Sequence, residues 1–313
     1  MLKSTVIASP APPDAALTGE VIERTPLVDK KVEVLSSMAW GSVAILGVLL
    51  SALYYRIAFK LVSDWYNIPD YSHGLLIPFF VLYLVWDKRQ TLQATPVKPT
   101  WSGLWLVVLG LFVVMLGVFG ADLFLSRISF VLLVAGIIWT LLGRKMLAET
   151  KFILFVCVLA IPLPTLVMNH ITFPLQIWAT KLASDLLPLA QVPVLREGNV
   201  INLPNMQLEV AEACSGIRSL MSLFTVAVIY GYFLEKGVLR RTILALAALP
   251  IAVAANAARI FGTGLCVQYW DPDKAVGFFH EFSGWLMFIV SLTFLYLVHV
   301  MMRFVGRKRE VAA

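Results

Sequence analysis

The sequence predicts an all-α polytopic membrane protein. It should have about eight transmembrane helices, a short outer-face β-hairpin and an interfacial amphipathic helix. Three observations carry this prediction. Hydrophobic residues make up 59% of the chain and charged residues only 14%, too few charges for a soluble domain. Apolar runs of membrane-crossing length recur from residue 38 to residue 304. The Lys and Arg residues behind the net charge of +6 lie mostly in short loops between those runs. That is a topology signal, not a nucleic-acid-binding surface.

Taken in order, residues 1–37 form a polar cytoplasmic tail with Pro10, Pro12 and Pro13 among small residues. No short apolar core with a small-residue cleavage site precedes the first span, so no cleaved signal peptide is expected. The transmembrane domain covers 38–304. Its spans read as 38–59, 74–86, 102–120, 125–142, 152–168, 215–234, 242–267 and 280–304. The second is short and contains Pro78. Asp122 and Arg127 leave only a tight turn between the third and fourth. Residues 305–313 form a basic cytoplasmic tail.

Orientation follows from the loop charges. One set of loops holds Lys88, Arg89 and Lys98, then Arg144, Lys145 and Lys151, then Lys236, Arg240 and Arg241, and both termini add further basic residues. The other set holds only Lys60, Arg127, Lys181, Arg196 and Lys274. The richer set is cytoplasmic, and an even number of spans puts both termini inside. The long outer loop starts near Asn169. Between Ile171 and Ala190, apolar residues recur at helical spacing around Lys181 and Asp185, which reads as an amphipathic helix at the interface. The following VPVLREGNVINLPNMQLEVAEA alternates apolar and polar residues around a Gly-Asn turn, which reads as a β-hairpin leading into Cys214.

This topology brings unusual residues from four segments to one depth near the outer surface. Cys214 opens the sixth span, with Arg218 one turn deeper. Asn256 and Arg259 share a face in the outer half of the seventh. His280 opens the eighth and His73 the second. A thiolate is a nucleophile, a histidine can take its proton and return it to a leaving amine, and an arginine can hold a thiolate or an oxyanion. Each residue also has a plainer role: Cys214 as small packing, Arg218 snorkelling to headgroups, Arg259 as an ion-pair partner, His280 and His73 as interfacial polar groups. Cys157 and Cys266 lie inside apolar runs and read as packing, and the three cysteines make no disulfide framework. There is no Cys-x-x-Cys or His-Glu-x-x-His pattern, so no metal or other cofactor is expected.

Four stretches carry a resemblance: YSHGLLIPFFVLYLVW (71–86), REGNVINLPNMQLEVAEACSGIRSLMSL (196–223), NAARI (256–260) and HEFSGW (280–285). Together they are similar to the exosortases, bacterial multi-pass membrane enzymes related to archaeosortases. The resemblance implies a cysteine protease or transpeptidase. Cys214 matches the nucleophile, Arg259 and His280 the other catalytic groups, and Arg218 a further family arginine. Asn256 and His73 are supporting candidates. The implied substrates are exported proteins whose C-terminal sorting signal joins a Pro-Glu-Pro-type motif, a transmembrane helix and a basic tail. A thioester would form on Cys214 and pass to an acceptor nucleophile that the sequence does not identify. The resemblance further implies a bacterial inner membrane, an active site facing the periplasm, and a link to exopolysaccharide production. The expected partners are these exported proteins and membrane lipids, with no nucleic acid. A membrane transporter, with Pro250 breaking the seventh span, and a non-enzymatic scaffold of polysaccharide assembly remain the alternatives.

Overall fold

The computed structural model describes residues 26–204, 206–209, 217–270 and 278–311. The first helix, α1 (Pro26–Asn67), has proline at its first position, where a missing N–H costs nothing. It starts inside the polar tail, well before the apolar run. A division into two compact units falls within it, after Tyr54. In the first unit, Val43, Ile45, Val48 and Leu49 are exposed, as lipid-facing side chains would be.

The second unit holds the rest of the bundle. A 3₁₀ turn, Pro69–Leu75, leads into α2 (Ile77–Asp87), with Pro78 in its first turn. A short α3 (Arg89–Ala94) follows. Helices α4 (Leu104–Phe119) and α5 (Leu123–Leu142) form an antiparallel pair. Asp122 caps α5 by accepting a 2.8 Å hydrogen bond from the Leu125 amide. This pair is held by close approach. A Cβ on Gly117 would stand 2.5 Å from the Ser126 nitrogen, and one on Gly136 2.6 Å from the Val107 nitrogen. Small residues that let backbones touch are how apolar helices associate in lipid, where hydrophobic burial offers no drive.

Next come α6 (Arg144–Leu159), α7 (Thr165–Leu186), α8 (Ile217–Leu234), α9 (Val238–Tyr269) and α10 (Phe278–Val311). Helix α9 packs against α7, α8 and α10. It runs unbroken through Pro250, contrary to the break that a transporter reading would use. The α8–α9 connection is tied by Arg241, which donates to the carbonyls of Glu235 (2.9 Å) and Tyr232 (3.0 Å) at the end of α8. The buried Glu235 carboxylate also meets His299 Nδ1 on α10 at 3.0 Å.

Among the described residues, five helical stretches are long and apolar enough to cross a membrane: Val43–Asn67, Trp101–Phe119, Leu123–Leu142, Val238–Tyr269 and Phe282–Phe304. The other three expected spans differ. Arg218–Leu234 is apolar but shorter. The 74–86 span is shared between a 3₁₀ turn and α2, and eleven residues of α-helix cover only about 16 Å. The 152–168 span is broken after Leu159, because Pro162 and Pro164 cannot continue the helix. The chain resumes at Thr165 as α7, so the expected interfacial helix is the later part of a longer one. Its small residues Ala179, Thr180 and Ala183 are fully buried, while Phe173 and Trp178 stay exposed.

The expected hairpin is present and carries an additional strand. β1 (Leu195–Glu197) pairs with β2 (Val200–Asn202) across Gly198, whose φ of 67° suits glycine. β2 pairs in turn with β3 (Gln207–Glu209), placing Ile201 opposite Leu208. Ile201, Leu203 and Leu208 are buried in one cluster with Ala179 and Ala183 of α7 and Ala257 and Ile260 of α9.

Arg127 was counted above with the outer-loop charges. It is instead buried in α5, where it donates to the Asp64 carboxylate at the end of α1, and Lys60 reaches the same carboxylate at 3.0 Å. Removing one partner of a buried pair strands the other charge. Asp64→Leu should therefore destabilise the fold by about 3–5 kcal/mol, and Asp64→Leu with Arg127→Leu should recover most of that loss. Thermal unfolding in detergent measures both. A double variant no more stable than the single one would show that the stranded arginine is not the cause.

Candidate active site

The site grows from the C-terminal half of α9. Residues Ala252, Asn256 and Arg259 recur there at helical spacing and share a face. Ala252 and Asn256 are buried and Arg259 is half-buried. The Arg259 guanidinium reaches across to α10. A Cβ built on Gly284 would lie 3.8 Å from its Cζ and 3.9 Å from Nη1. Glycine at 284 thus leaves the arginine head room against the neighbouring helix. His280 stands in the first turn of α10, one turn before Gly284 and on the same face of the helix. Its side chain lies outside the described residues, so the structure brings the helix positions of Arg259 and His280 together and goes no further.

Cys214 also lies outside the described residues. In sequence it falls between β3, which ends at Glu209, and α8, which starts at Ile217. Both flanking elements rest on the Arg259 segment of α9. Leu208 of β3 clusters with Ala257 and Ile260. Leu220 of α8 clusters with Ala252. Arg218 is exposed in the first turn of α8.

His73 occupies the 3₁₀ turn, which packs against α8. It is buried, with Nε2 3.3 Å from the Leu159 carbonyl at the end of α6. Beside it, the Trp65 indole donates to the Ala160 carbonyl at 2.7 Å. A Cβ at Gly74 would collide with that indole ring at 2.3 Å, so the residue after His73 has to be glycine. His73 therefore joins α1, α6 and α8 at one point.

Two residues of the site were not singled out in the sequence. Gly284 stood inside a quoted motif without a role. Gln176 lies on α7, and its signal was a polar stripe of Thr172, Gln176 and Thr180 in an otherwise apolar helix, all three buried. Among the described residues, no group of three His, Cys, Asp or Glu could hold a metal ion. Cys157 and Cys266 are free thiols on α6 and α9.

The family model described as transmembrane exosortase matches residues 65–297. That range takes in the 3₁₀ turn with His73, the sheet, Cys214, Arg259 and His280. No curated protein and no solved structure matches the chain.

His73 yields a test in the folded protein. Burial pushes its imidazole below the ordinary value of 6.5, and the Leu159 carbonyl pulls it partly back. The unfolded chain therefore takes up a proton that the folded chain refuses. The contribution is fully present above pH 6.5 and is lost as pH falls through the lower, folded value. Acidification should lower the melting temperature of the native protein, and His73→Gln should flatten that dependence. An unchanged slope in the variant would show that His73 is not the titrating group.

Proposed function

The chain belongs to the transmembrane exosortase family, whose members are membrane transpeptidases acting on sorting signals, and from that premise we propose that it is a cysteine protease and transpeptidase with Cys214, Arg259 and His280 as its catalytic residues. The observation that carries this reading is the setting of Arg259. A guanidinium half-buried in an apolar bundle is costly unless it has work there. It faces α10 one turn from His280, and the elements on both sides of Cys214 pack on the same stretch of α9.

The chemistry follows from the groups. The His280 imidazole takes the proton from the Cys214 thiol. The thiolate attacks the carbonyl carbon of the scissile peptide, and charge develops on its oxygen. Arg259 offers two parallel N–H donors to that oxyanion or to the thiolate. The C–N bond breaks, His280 returns its proton to the departing amine, and an acyl thioester remains on Cys214. An acceptor amine or water then attacks the thioester and releases the thiol. Arg218, at the exposed start of α8, balances charge at the rim.

The substrates of this reading are exported proteins carrying a Pro-Glu-Pro-type motif, a transmembrane helix and a basic tail. The enzyme sits in the bacterial inner membrane with both termini in the cytoplasm and its site facing the periplasm, in the service of exopolysaccharide production. Against the transporter alternative stands the continuity of α9 through Pro250. A scaffold role is separated by chemistry alone, since a scaffold has no need of a thiol.

Cys214→Ala should abolish processing of a tagged substrate in vesicles and leave the protein inserted, and Cys157→Ala and Cys266→Ala should process normally. Native enzyme quenched during turnover should carry a hydroxylamine-sensitive acyl group on Cys214. Normal processing by Cys214→Ala would end the enzyme reading.

Arg259 separates charge from geometry. Arg259→Lys keeps the charge but loses the fork, and should cost on the order of a hundredfold in rate. Gly284→Ala adds a methyl at ordinary contact distance and should stay within a few-fold of native, whereas Gly284→Leu should displace the guanidinium and approach the Arg259→Lys defect. Near-native rates for Arg259→Lys would leave Arg259 as a counter-ion only.

A further inference from the structure

A small cavity of about 20 Å3 lies where α7, α8 and α9 meet. Thr172, Gln176 and Asn256 form its polar wall; Leu175, Leu220 and Ala252 form the apolar one. Asn256 is 7% exposed and Gln176 8%, so both amides are removed from solvent. The Asn256 Oδ1 is buried and has no hydrogen-bond partner among the described residues. The Thr172 hydroxyl donates its proton to the Met168 carbonyl at 2.8 Å, so what it still offers the cavity is lone pairs. The Asn256 Oδ1 is thus a buried acceptor that none of the donors among the described residues reaches. A buried acceptor without a donor is unfavourable anywhere in a protein, and most of all where no water can reach it.

The position of the notch limits what that donor is. Asn256 lies one helical turn from Arg259, on the side of the α8–α9 connection. On the exosortase reading, the substrate enters the membrane with the scissile bond near Arg259 and a transmembrane helix directly after it. The first four N–H groups of any helix lack intrahelical partners. In hydrocarbon they find no water either, so a protein acceptor must meet them. Orphan donors on the substrate and the orphan Asn256 Oδ1 in the notch would stand one turn beyond the reacting bond.

We propose that this notch is a substrate subsite that caps the N-terminus of the substrate's transmembrane helix, with Asn256 Oδ1 accepting a main-chain N–H of its first turn and Gln176 supplying a second acceptor. The subsite rests on the exosortase reading and adds a specificity determinant to it. The cap fixes how far the substrate helix rises and therefore which peptide bond stands at Arg259. It reads backbone and not side chains, so it accepts many sorting-signal helices of unrelated sequence.

The test uses the full-length chain with Cys214→Ala as a trap that binds without turnover. A tagged substrate carrying its transmembrane helix is co-purified from detergent-solubilised membranes. Adding Asn256→Leu, close in size but with no acceptor, should lower the captured substrate about tenfold, the worth of one hydrogen bond. The melting temperature of the free enzyme should hold or rise, because the acceptor has no partner there. Asn256→Asp keeps an acceptor oxygen in place and should retain capture. A lower melting temperature with full capture in Asn256→Leu would overturn the proposal and make the notch a structural water site. Loss of capture in Asn256→Asp equal to that in Asn256→Leu would also overturn it. If the Cys214→Ala trap alone captures no substrate, the exosortase reading falls and the subsite with it, whereas full capture by Asn256→Leu removes the subsite only.

Discussion

The close approach of α7 to α9 is the contact on which the rest of the site is built. Ala179, Ala183 and Ala257 sit at that contact with almost no exposure, and Leu187 fills the space beside Gly264. Small side chains bring the two helices near enough for the three-stranded sheet to lie across both. The sheet then delivers the chain to α8, and α8 returns to α9 through Leu220 and Ala252. A bulkier residue at Ala183 or Ala257 would move the sheet and α8 together, and the chain carrying Cys214 with them. The precision of the site is therefore a packing property of residues that touch no substrate.

Polar groups inside the bundle obey one restriction. Lipid supplies no hydrogen bonds, so each must find its partner in protein. Asp64 and Arg127 pair where α1 meets α5. Glu235 and His299 meet where α8 faces α10, beside Arg241 on the last carbonyls of α8. Both bring opposite polar groups together inside the bundle. The Asn256 Oδ1, like the Asn202 Oδ1 and the Gln268 Oε1, is left without a partner among the described residues. Groups that the fold does not use are the ones available for binding.

Much of this was legible in the sequence, for identifiable reasons. The membrane class followed from composition, and Arg259 was conspicuous because a charge in an apolar run is rare. The Gly-Asn turn marked the hairpin, but no comparable turn signal separated β3 (Gln207–Glu209) from it, so the alternation was read as two strands and not three. The count of eight spans treated apolar length as helix length. Pro162 and Pro164 broke one run, and the start of another became a 3₁₀ turn. Arg127 was misplaced because loop-charge counting cannot tell a surface arginine from one whose partner lies in a distant helix. Gly284 and Gln176 could not be recognised alone, since their meaning lies in what stands opposite them: a guanidinium in one case and a partnerless amide in the other.

The order in which the chain is made gives the Arg259–Gly284 contact a further meaning. The α4–α5 pair closes over neighbouring residues and can form while the chain is still being synthesised. Arg259 gains its neighbour only when α10, the last described helix, has entered the membrane. Until then Gly284 and His280 are both absent. On the proposed mechanism, a nascent or truncated chain would hold the Cys214 thiol without the imidazole that activates it. On the proposed mechanism, synthesis itself would act as a safety catch: proteolytic competence would arrive with α10, and a chain shortened before it would be inert.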